Sequence, residues 1–526
     1  MIRNRMYLLT LFLCLLFILP LSQLHSQDIL YSNSDSSSIS ESTDSARGLL
    51  LSSTFLIKIP LETLNSWANI LGFNITAQYS VSIYKIVYQT VDNFGNVINA
   101  SGIILIPDRD DPASFASVQH GTIFKNSDAP SFFGFSNISV WGQGIIPASQ
   151  GYVTVMPDYL GFGESYQKMI HPYHHAKTLA LSTIDMIRAG KGFCEDNNVR
   201  LNGKLFLVGY SEGGYATIAT QREIEKYYNT ELIITASSAG AGAYDLYETT
   251  KSMIDASEIL YPAYLAFTLV SYDTTYQWNR NLLEIVKEPY ASILYSLFDG
   301  TKDGDEINAR LTTITRNLLQ ESFTQAFNED GEQDIKAALH ENSIHNWITH
   351  TPTLLFHGIR DDIVPYENSE TAYNNFTNNG MENLESIKIV KNNICESHES
   401  CFYPFVEETL TWFAKYHCAA TLHTIDSELH LYVPVIYYNS TNLWADFIIL
   451  MDTDGALRIK VSDAGYVNPA NYKDCNTSNL TSDLKLEIPM ITFNTVSLWA
   501  DFEYLPTVDG LIWFKLTGAG EVLSGS

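Results

Sequence analysis

The sequence predicts an α/β chain with a mostly parallel sheet, a helical block inserted late in that sheet, and a small C-terminal β module. Three observations predict it. Short apolar runs alternate with helical stretches from Tyr79 to about Cys418, the alternation stops between Asp245 and His350, and two similar strand-rich segments end the chain. Strand–helix alternation implies a parallel sheet covered on both faces.

The length of 526 residues calls for two or three folded units. Hydrophobic residues are 45% and charged residues 17%, which excludes disorder over most of the chain. Arg3 and Arg5 precede an apolar run, Met6 to Leu21, and Ser22-Gln23-Leu24-His25-Ser26 then offers a small residue before a possible cleavage after Ser26. This reads as a removable signal peptide, because a membrane anchor needs roughly 20 apolar residues. The expected location is extracellular, with the periplasm or the cell surface as alternatives. The net charge of −28 repels phosphate backbones and argues against a nucleic-acid partner.

Residues 32–46 are Ser-rich and cannot bury a core. Ser82–Val91 and Val97–Pro107 then read as strands joined by the turn-forming Asp92-Asn93-Phe94-Gly95-Asn96. Further strands are expected at Ser114–Gln119, Tyr152–Met156, Lys204–Val208, Leu232–Ala236, Thr353–Phe356 and Ser386–Val390. Helices are expected at Ala176–Gly190 and Gly213–Tyr228. The block between Asp245 and His350 reads as helices rich in Tyr, Leu and Phe, such as Ile259–Val270 and Ala291–Phe298, and is most simply a cap. Asp299, Asp303 and Asp305 hint at a calcium loop, but Arg310 stands where the bidentate Glu is required, so a solvated loop is expected.

In the tail, Pro434 and Pro489, Trp444 and Trp499, and Gly455 and Gly510 are each 55 residues apart within matching segments. Two copies of one β unit follow from this. The expected division is a signal peptide (1–26), a Ser-rich leader and N-terminal arm (27–78), a first α/β core segment (79–246), a helical cap (247–350), a second core segment (351–418) and the β module (420–526). Export permits disulfides. Cys395 and Cys401 are close enough to staple one loop, Cys418 with Cys475 is a looser pairing, and Cys194 is left over. None has zinc-site spacing.

The chemistry centres on Gly209-Tyr210-Ser211-Glu212-Gly213, which follows an apolar strand and opens a helix. This is a nucleophile elbow, and it points to the α/β-hydrolase fold. The serine must sit on a sharp turn, and Gly209 and Gly213 are needed because side chains there would collide with neighbouring backbone. A serine hydroxyl needs a base to take its proton and a carboxylate to orient that base. In this fold the order is Ser, acid, His. Asp361, at the end of the strand Thr353–Phe356, is chosen as the acid over Asp362, and His398, after the next strand, as the base. The oxyanion donors are expected to be the N–H groups of Glu212 and Thr122, in Gln119-His120-Gly121-Thr122. Gly121 lets that loop approach closely, and His120 reads as a structural loop residue.

These motifs, together with Pro157-Asp158-Tyr159-Leu160-Gly161-Phe162-Gly163, His171-Pro172-Tyr173, His357 to Pro365 and His398-Glu399-Ser400-Cys401, resemble those of secreted bacterial lipases and esterases of the α/β-hydrolase superfamily. That group is similar to the fungal lipase A type of secretory lipase. The resemblance spans about residues 80–415 and implies a serine hydrolase with no metal or organic cofactor.

The leading expectation is a carboxylic-ester hydrolase acting on small-molecule or lipid esters. A serine peptidase or amidase is the second reading, because the same triad cleaves amides. The third is a surface-binding protein with a residual hydrolase domain, in which the C-terminal repeats dock to a surface or matrix.

Overall fold

The computed structural model describes residues 46–134, 137–378 and 387–418, and in the C-terminal region 423–425, 430–438, 441–451, 457–466, 478–480, 484–493, 496–505 and 512–521. The proposed signal peptide, the Ser-rich leader and the Cys418–Cys475 pairing lie outside the described residues. No helix among the described residues is long and apolar enough to cross a membrane.

The chain divides into two compact units, the second beginning at Lys415. The larger contains strands β1 (Leu50–Ile59), β2 (Val81–Val91), β3 (Val97–Pro107), β4 (Ala113–Gln119), β5 (Val153–Pro157), β6 (Leu201–Tyr210), β7 (Ile234–Gly240), β8 (Thr353–Gly358) and β9 (Ile387–Asn392). They form one sheet in the order β1-β2-β3-β5-β4-β6-β7-β8-β9. The pairings from β5 through β9 are parallel, and those from β1 through β5 antiparallel. Strands β4, β5 and β8 are buried along their whole length, as expected where helices cover both faces. Apolar side chains of helix α2 (Ala176–Asp196), among them Ile184 and Ile187, pack with strand residues Phe115, Val153, Val155 and Leu205.

The N-terminal arm holds a strand that the sequence pattern does not announce. β1 pairs antiparallel with β2 as an edge strand, and most of its residues are exposed. Its Ser52-Ser53-Thr54 run has no inward-facing apolar alternation, so the periodicity that marks buried strands is missing. Helix α1 (Leu61–Leu71) follows and is capped by Gly72 in the left-handed conformation. β7 also lies further along the chain than expected, ending at Ser237-Ser238-Ala239-Gly240. Small residues are required there, because a Cβ on Gly240 would overlap the rings of Tyr210 and Phe405.

Helix α3 (Glu212–Glu223) starts directly after β6. Between β7 and β8 lies a helical insertion with α4 (Leu246–Asp255), α5 (Pro262–Thr275), α6 (Tyr290–Leu297), α7 (Glu321–Asn328) and α8 (Gln333–Glu341). Its apolar side chains join those of Tyr173, Tyr215 and Phe124 in one core cluster. In the loop with the calcium-like spacing, Asp303 instead caps a short helix through a capping box with Glu306, and Asp299 accepts from Thr301 and Lys302. Helices α9 (Glu367–Asn378) and α10 (Phe402–Cys418) follow, the last turn of α10 passing the boundary at Lys415.

The second unit contains β10 (His423–Ile425), β11 (His430–Tyr438), β12 (Thr441–Met451), β13 (Leu457–Tyr466), β14 (Ser478–Leu480), β15 (Lys485–Phe493), β16 (Val496–Leu505) and β17 (Trp513–Glu521). Its order is β10-β11-β12-β13-β17-β16-β15-β14, with β10 also paired to β15 and β11 to β14. The repeat is visible in three dimensions: β10–β13 recur as β14–β17. Each copy carries a register break at its proline, near Pro434 and near Pro489, where a missing N–H is tolerated. Ser462 bonds the Asp446 carbonyl just as Thr517 bonds that of Asp501. The two copies share a core of Leu431, Phe447 and Ile459 with Leu486, Phe502 and Phe514.

Candidate active site

Ser211 sits at the carboxyl end of β6, between β4 and β7. Open α/β sheets place their ligand sites at such strand ends. Its backbone has φ 62° and ψ −126°, a conformation that costs a non-glycine residue about 1–3 kcal/mol. The neighbours hold it there: Ser211 N–H donates to Gly240 O at 2.8 Å, and Tyr215 N–H donates to Ser211 O at 3.1 Å. The flanking glycines are sterically required. A Cβ on Gly213 would sit well inside contact distance of the Gln119 carbonyl, and one on Gly209 would meet the Gly213 carbonyl.

Asp361 and His398 are brought together from the loops after β8 and β9. His398 Nδ1 lies 2.6 Å from Asp361 Oδ2. Asp361 Oδ1 accepts the N–H groups of Ile363 (2.9 Å) and Val364 (2.8 Å). Burial alone would push this carboxyl up, but hydrogen bonds and charge from His357 and His398 pull it well below the usual carboxylate range. Asp362 has a different task, accepting the backbone N–H of His398 at 2.9 Å. The Cys395–Cys401 disulfide closes the loop that carries His398, and Cys194 is free and buried.

The other imidazole nitrogen, His398 Nε2, is buried and has no hydrogen-bond partner among the described residues. The residue is 6% exposed. Its ring lies 5.0 Å from that of Tyr210, the residue before Ser211, and the Tyr210 hydroxyl donates to His398 O at 2.7 Å. His398 is therefore held beside the elbow, with one imidazole nitrogen unpartnered among the described residues.

Glu212 opens α3, so its N–H has no acceptor one turn back. The Thr122 N–H, in the loop after β4, donates to no backbone carbonyl among the described residues. That loop passes the elbow at Gly121, where a Cβ would meet Tyr210 O at 3.3 Å and Ser211 Cβ at 3.6 Å. The approach is close but less strict than at Gly213. His120 is buried, with Nδ1 2.7 Å from Gly121 O, Nε2 3.3 Å from Asp158 O, and its ring 4.1 Å from Tyr159. Burial lowers its pKa.

Two supports of the site have roles that the sequence does not disclose. The Glu212 carboxylate is buried and 2.7 Å from His171 Nε2, and His171 Nδ1 faces Leu160 O at 2.7 Å. Burial raises the Glu212 pKa, but the attraction of His171 and its hydrogen bond more than offset it, leaving it lowered. His357 lies under Asp361, its Nε2 3.4 Å from Asp361 Oδ2 and 3.0 Å from Val364 O, and its Nδ1 2.8 Å from Ser369 Oγ. Both histidines stand in the quoted motifs, His171-Pro172-Tyr173 and His357 to Pro365, and that placement is the one signal that could have found them.

A cavity of about 30 Å³ adjoins Ser211 and Glu212. Its walls come from Tyr173 and His174, from Leu246, Thr250 and Met253 of α4, and from Tyr264 of α5. The inserted helices thus line the cavity beside the serine. Among the described residues, no group of His, Cys, Asp or Glu is placed to hold a metal.

The secretory lipase family model matches residues 145–421. Lipase 4 of Candida albicans is 22% identical over 345 residues, 62% of this chain and 68% of that protein. Among solved structures, a hydrolase from Legionella pneumophila is 29% identical, with a TM-score of 0.63, and covers 70% of this chain and 98% of its own. The rice cell wall degrading esterase LipA from Xanthomonas oryzae is 26% identical with a TM-score of 0.62 over the same shares. With its sheet, inserted helices and serine-bearing elbow, the chain belongs to the secretory lipase family and is a carboxylic-ester hydrolase.

Proposed function

We propose that the chain cleaves carboxylic esters through an acyl-enzyme on Ser211, with Asp361 and His398 completing the triad. His398 Nε2 takes the Ser211 proton as Oγ attacks the ester carbonyl. The developing oxyanion is held by the N–H groups of Glu212 and Thr122. The imidazolium, steadied by the Asp361 carboxylate, then protonates the departing alkoxide. Water deacylates the serine by the same route, with His398 again as base. The observation that carries this reading is the orphaned Nε2 of His398 beside the elbow, with Nδ1 fixed 2.6 Å from Asp361. Gly121, Gly209 and Gly213 let the backbones of the site approach, and His120 braces the oxyanion loop.

Residues 1–26 act as an export signal in this proposal, the insertion between β7 and β8 as a cap, and the repeated β module as a docking unit for a surface or matrix. The test is labelling with a fluorophosphonate, followed by hydrolysis of ester and peptide substrates side by side. Labelling at Ser211 with turnover of esters alone is expected. Turnover of peptides with none of esters would replace the reading with a peptidase.

A further inference from the structure

Histidines crowd the site, and most of their ring nitrogens have partners. Both nitrogens of His120, His171 and His357 face hydrogen-bonding atoms, and His398 engages Asp361 through Nδ1. His174 differs. It is 7% exposed and lines the Ser211 cavity, yet its ring makes no hydrogen bond among the described residues. A neutral imidazole carries one donor and one acceptor, so the ring has hydrogen-bonding capacity that no protein group among the described residues takes up.

The fold goes to some expense to hold this ring in the wall. His174 has φ 52°, in the left-handed region that non-glycine residues avoid. Its carbonyl accepts the hydroxyls of Tyr215 (2.9 Å) and Tyr272 (3.2 Å), which lock the backbone in place. The ring lies 3.9 Å from that of Tyr173 and meets Tyr215 edge-on at 4.8 Å. Burial lowers its pKa to about 4, so it is uncharged at neutral pH.

The cavity itself selects the occupant. At about 30 Å³ it is narrow, and a short acyl group needs less of its walls to give way than a long chain does. Apart from His174 and the threonines, its walls include Leu246, Met253 and Val364. Glu212 also lines it, and the negative charge that it keeps beside His171 disfavours a carboxylate on the acyl group.

Building on the Ser211 acyl-transfer reading, we propose that His174 determines specificity: the site takes esters of short hydroxy acids, and the His174 imidazole hydrogen-bonds the acyl hydroxyl. A matched-ester comparison tests this, using ethyl 3-hydroxybutyrate, ethyl butyrate and ethyl octanoate. The wild-type kcat/KM is expected to favour the hydroxy ester over butyrate about tenfold, as one buried hydrogen bond provides, with octanoate lowest. In His174→Leu the hydroxy-to-plain ratio falls to about one. His174→Gln, whose amide keeps a donor and an acceptor, recovers part of it. Losses shared by both esters cancel in the ratio, so general packing damage does not imitate the result.

A wild-type ratio near one, or the same ratio in wild type and His174→Leu, overturns the proposal, as does a preference for octanoate. If none of the three esters is cleaved while a fluorophosphonate still labels Ser211, the pocket assignment falls and the serine-hydrolase reading stands. Absence of labelling as well would bring down that underlying reading.

Discussion

Asp361 and Asp362 are adjacent carboxylates with separate work. Asp361 meets the imidazole of His398, whereas Asp362 accepts only its backbone N–H. Asp361→Asn is expected to lower kcat by about 10⁴, because an amide can donate to Nδ1 and stabilise the wrong tautomer. Asp362→Asn keeps an acceptor oxygen and should cost less than about tenfold. Steady-state kinetics of the two variants checks the assignment, and the reverse order would exchange the roles. A second prediction concerns buried histidines. His175, at the N-terminus of α2, has its pKa lowered to about 4 by burial and by Lys177, where the helix dipole also disfavours a cation. The unfolded chain binds that proton near pH 6.5 and the folded chain only near 4. Its contribution is therefore fully present above pH 6.5 and is lost as pH falls toward 4. Asp158 and Asp185, raised by burial, have the opposite sign, so the effect is read as a difference. Urea unfolding of wild type and His175→Leu should show a shallower fall for the variant between those pH values. At this scale the proposed triad of Ser211, Asp361 and His398 could be named from the sequence because each residue sits in a local motif after a strand. The Glu212–His171 pair joins residues from different loops, and no local spacing reveals it.

At the scale of elements, the strand-to-helix turn at β6 and α3 carries the most constraint. That constraint is backbone against backbone, since a Gly213 Cβ would overlap the Gln119 carbonyl at the end of β4. Gly213→Ala is expected to destabilise the fold by more than about 3 kcal/mol or prevent folding, measured by thermal unfolding. Gly121→Ala meets only a tight contact and should fold, with its loss confined to kcat. The loop after β9 depends on a covalent tie. Replacing Cys395 and Cys401 with Ser should lower stability by about 2 kcal/mol and reduce kcat, because the loop positions His398. Strands β2, β3, β4 and β8 were legible from apolar runs or alternation. β1 was not, because an exposed edge strand has no face to bury and so leaves no period in its sequence. β7 was displaced because its second half is small residues chosen for close packing rather than for hydrophobicity.

At the scale of the whole molecule, the loops that carry Ser211, Asp361, His398 and Thr122 and the cavity-lining helices all belong to the larger unit. The repeated β module has its own sheet and its own apolar core, in which equivalent positions of the two copies meet. The 55-residue period made this doubling legible, because both copies preserve the same strand order and proline positions. What the period could not convey was the exchange of short strands, β10 onto β15 and β14 onto β11, since pairing across copies leaves no trace in either one alone. That exchange has a consequence. Each copy completes the sheet of the other, so removing one repeat should unfold both, whereas removing both leaves the larger unit's core uncut. A chain ending at Cys418 is expected to keep kcat/KM on soluble short esters within about threefold of the full-length protein. A chain ending after the first repeat should instead expose apolar strand edges and aggregate. Light scattering and ester kinetics on the two truncations separate a docking role from a catalytic one: a large loss of kcat/KM in the folded, shorter chain would place some of the active machinery in the module.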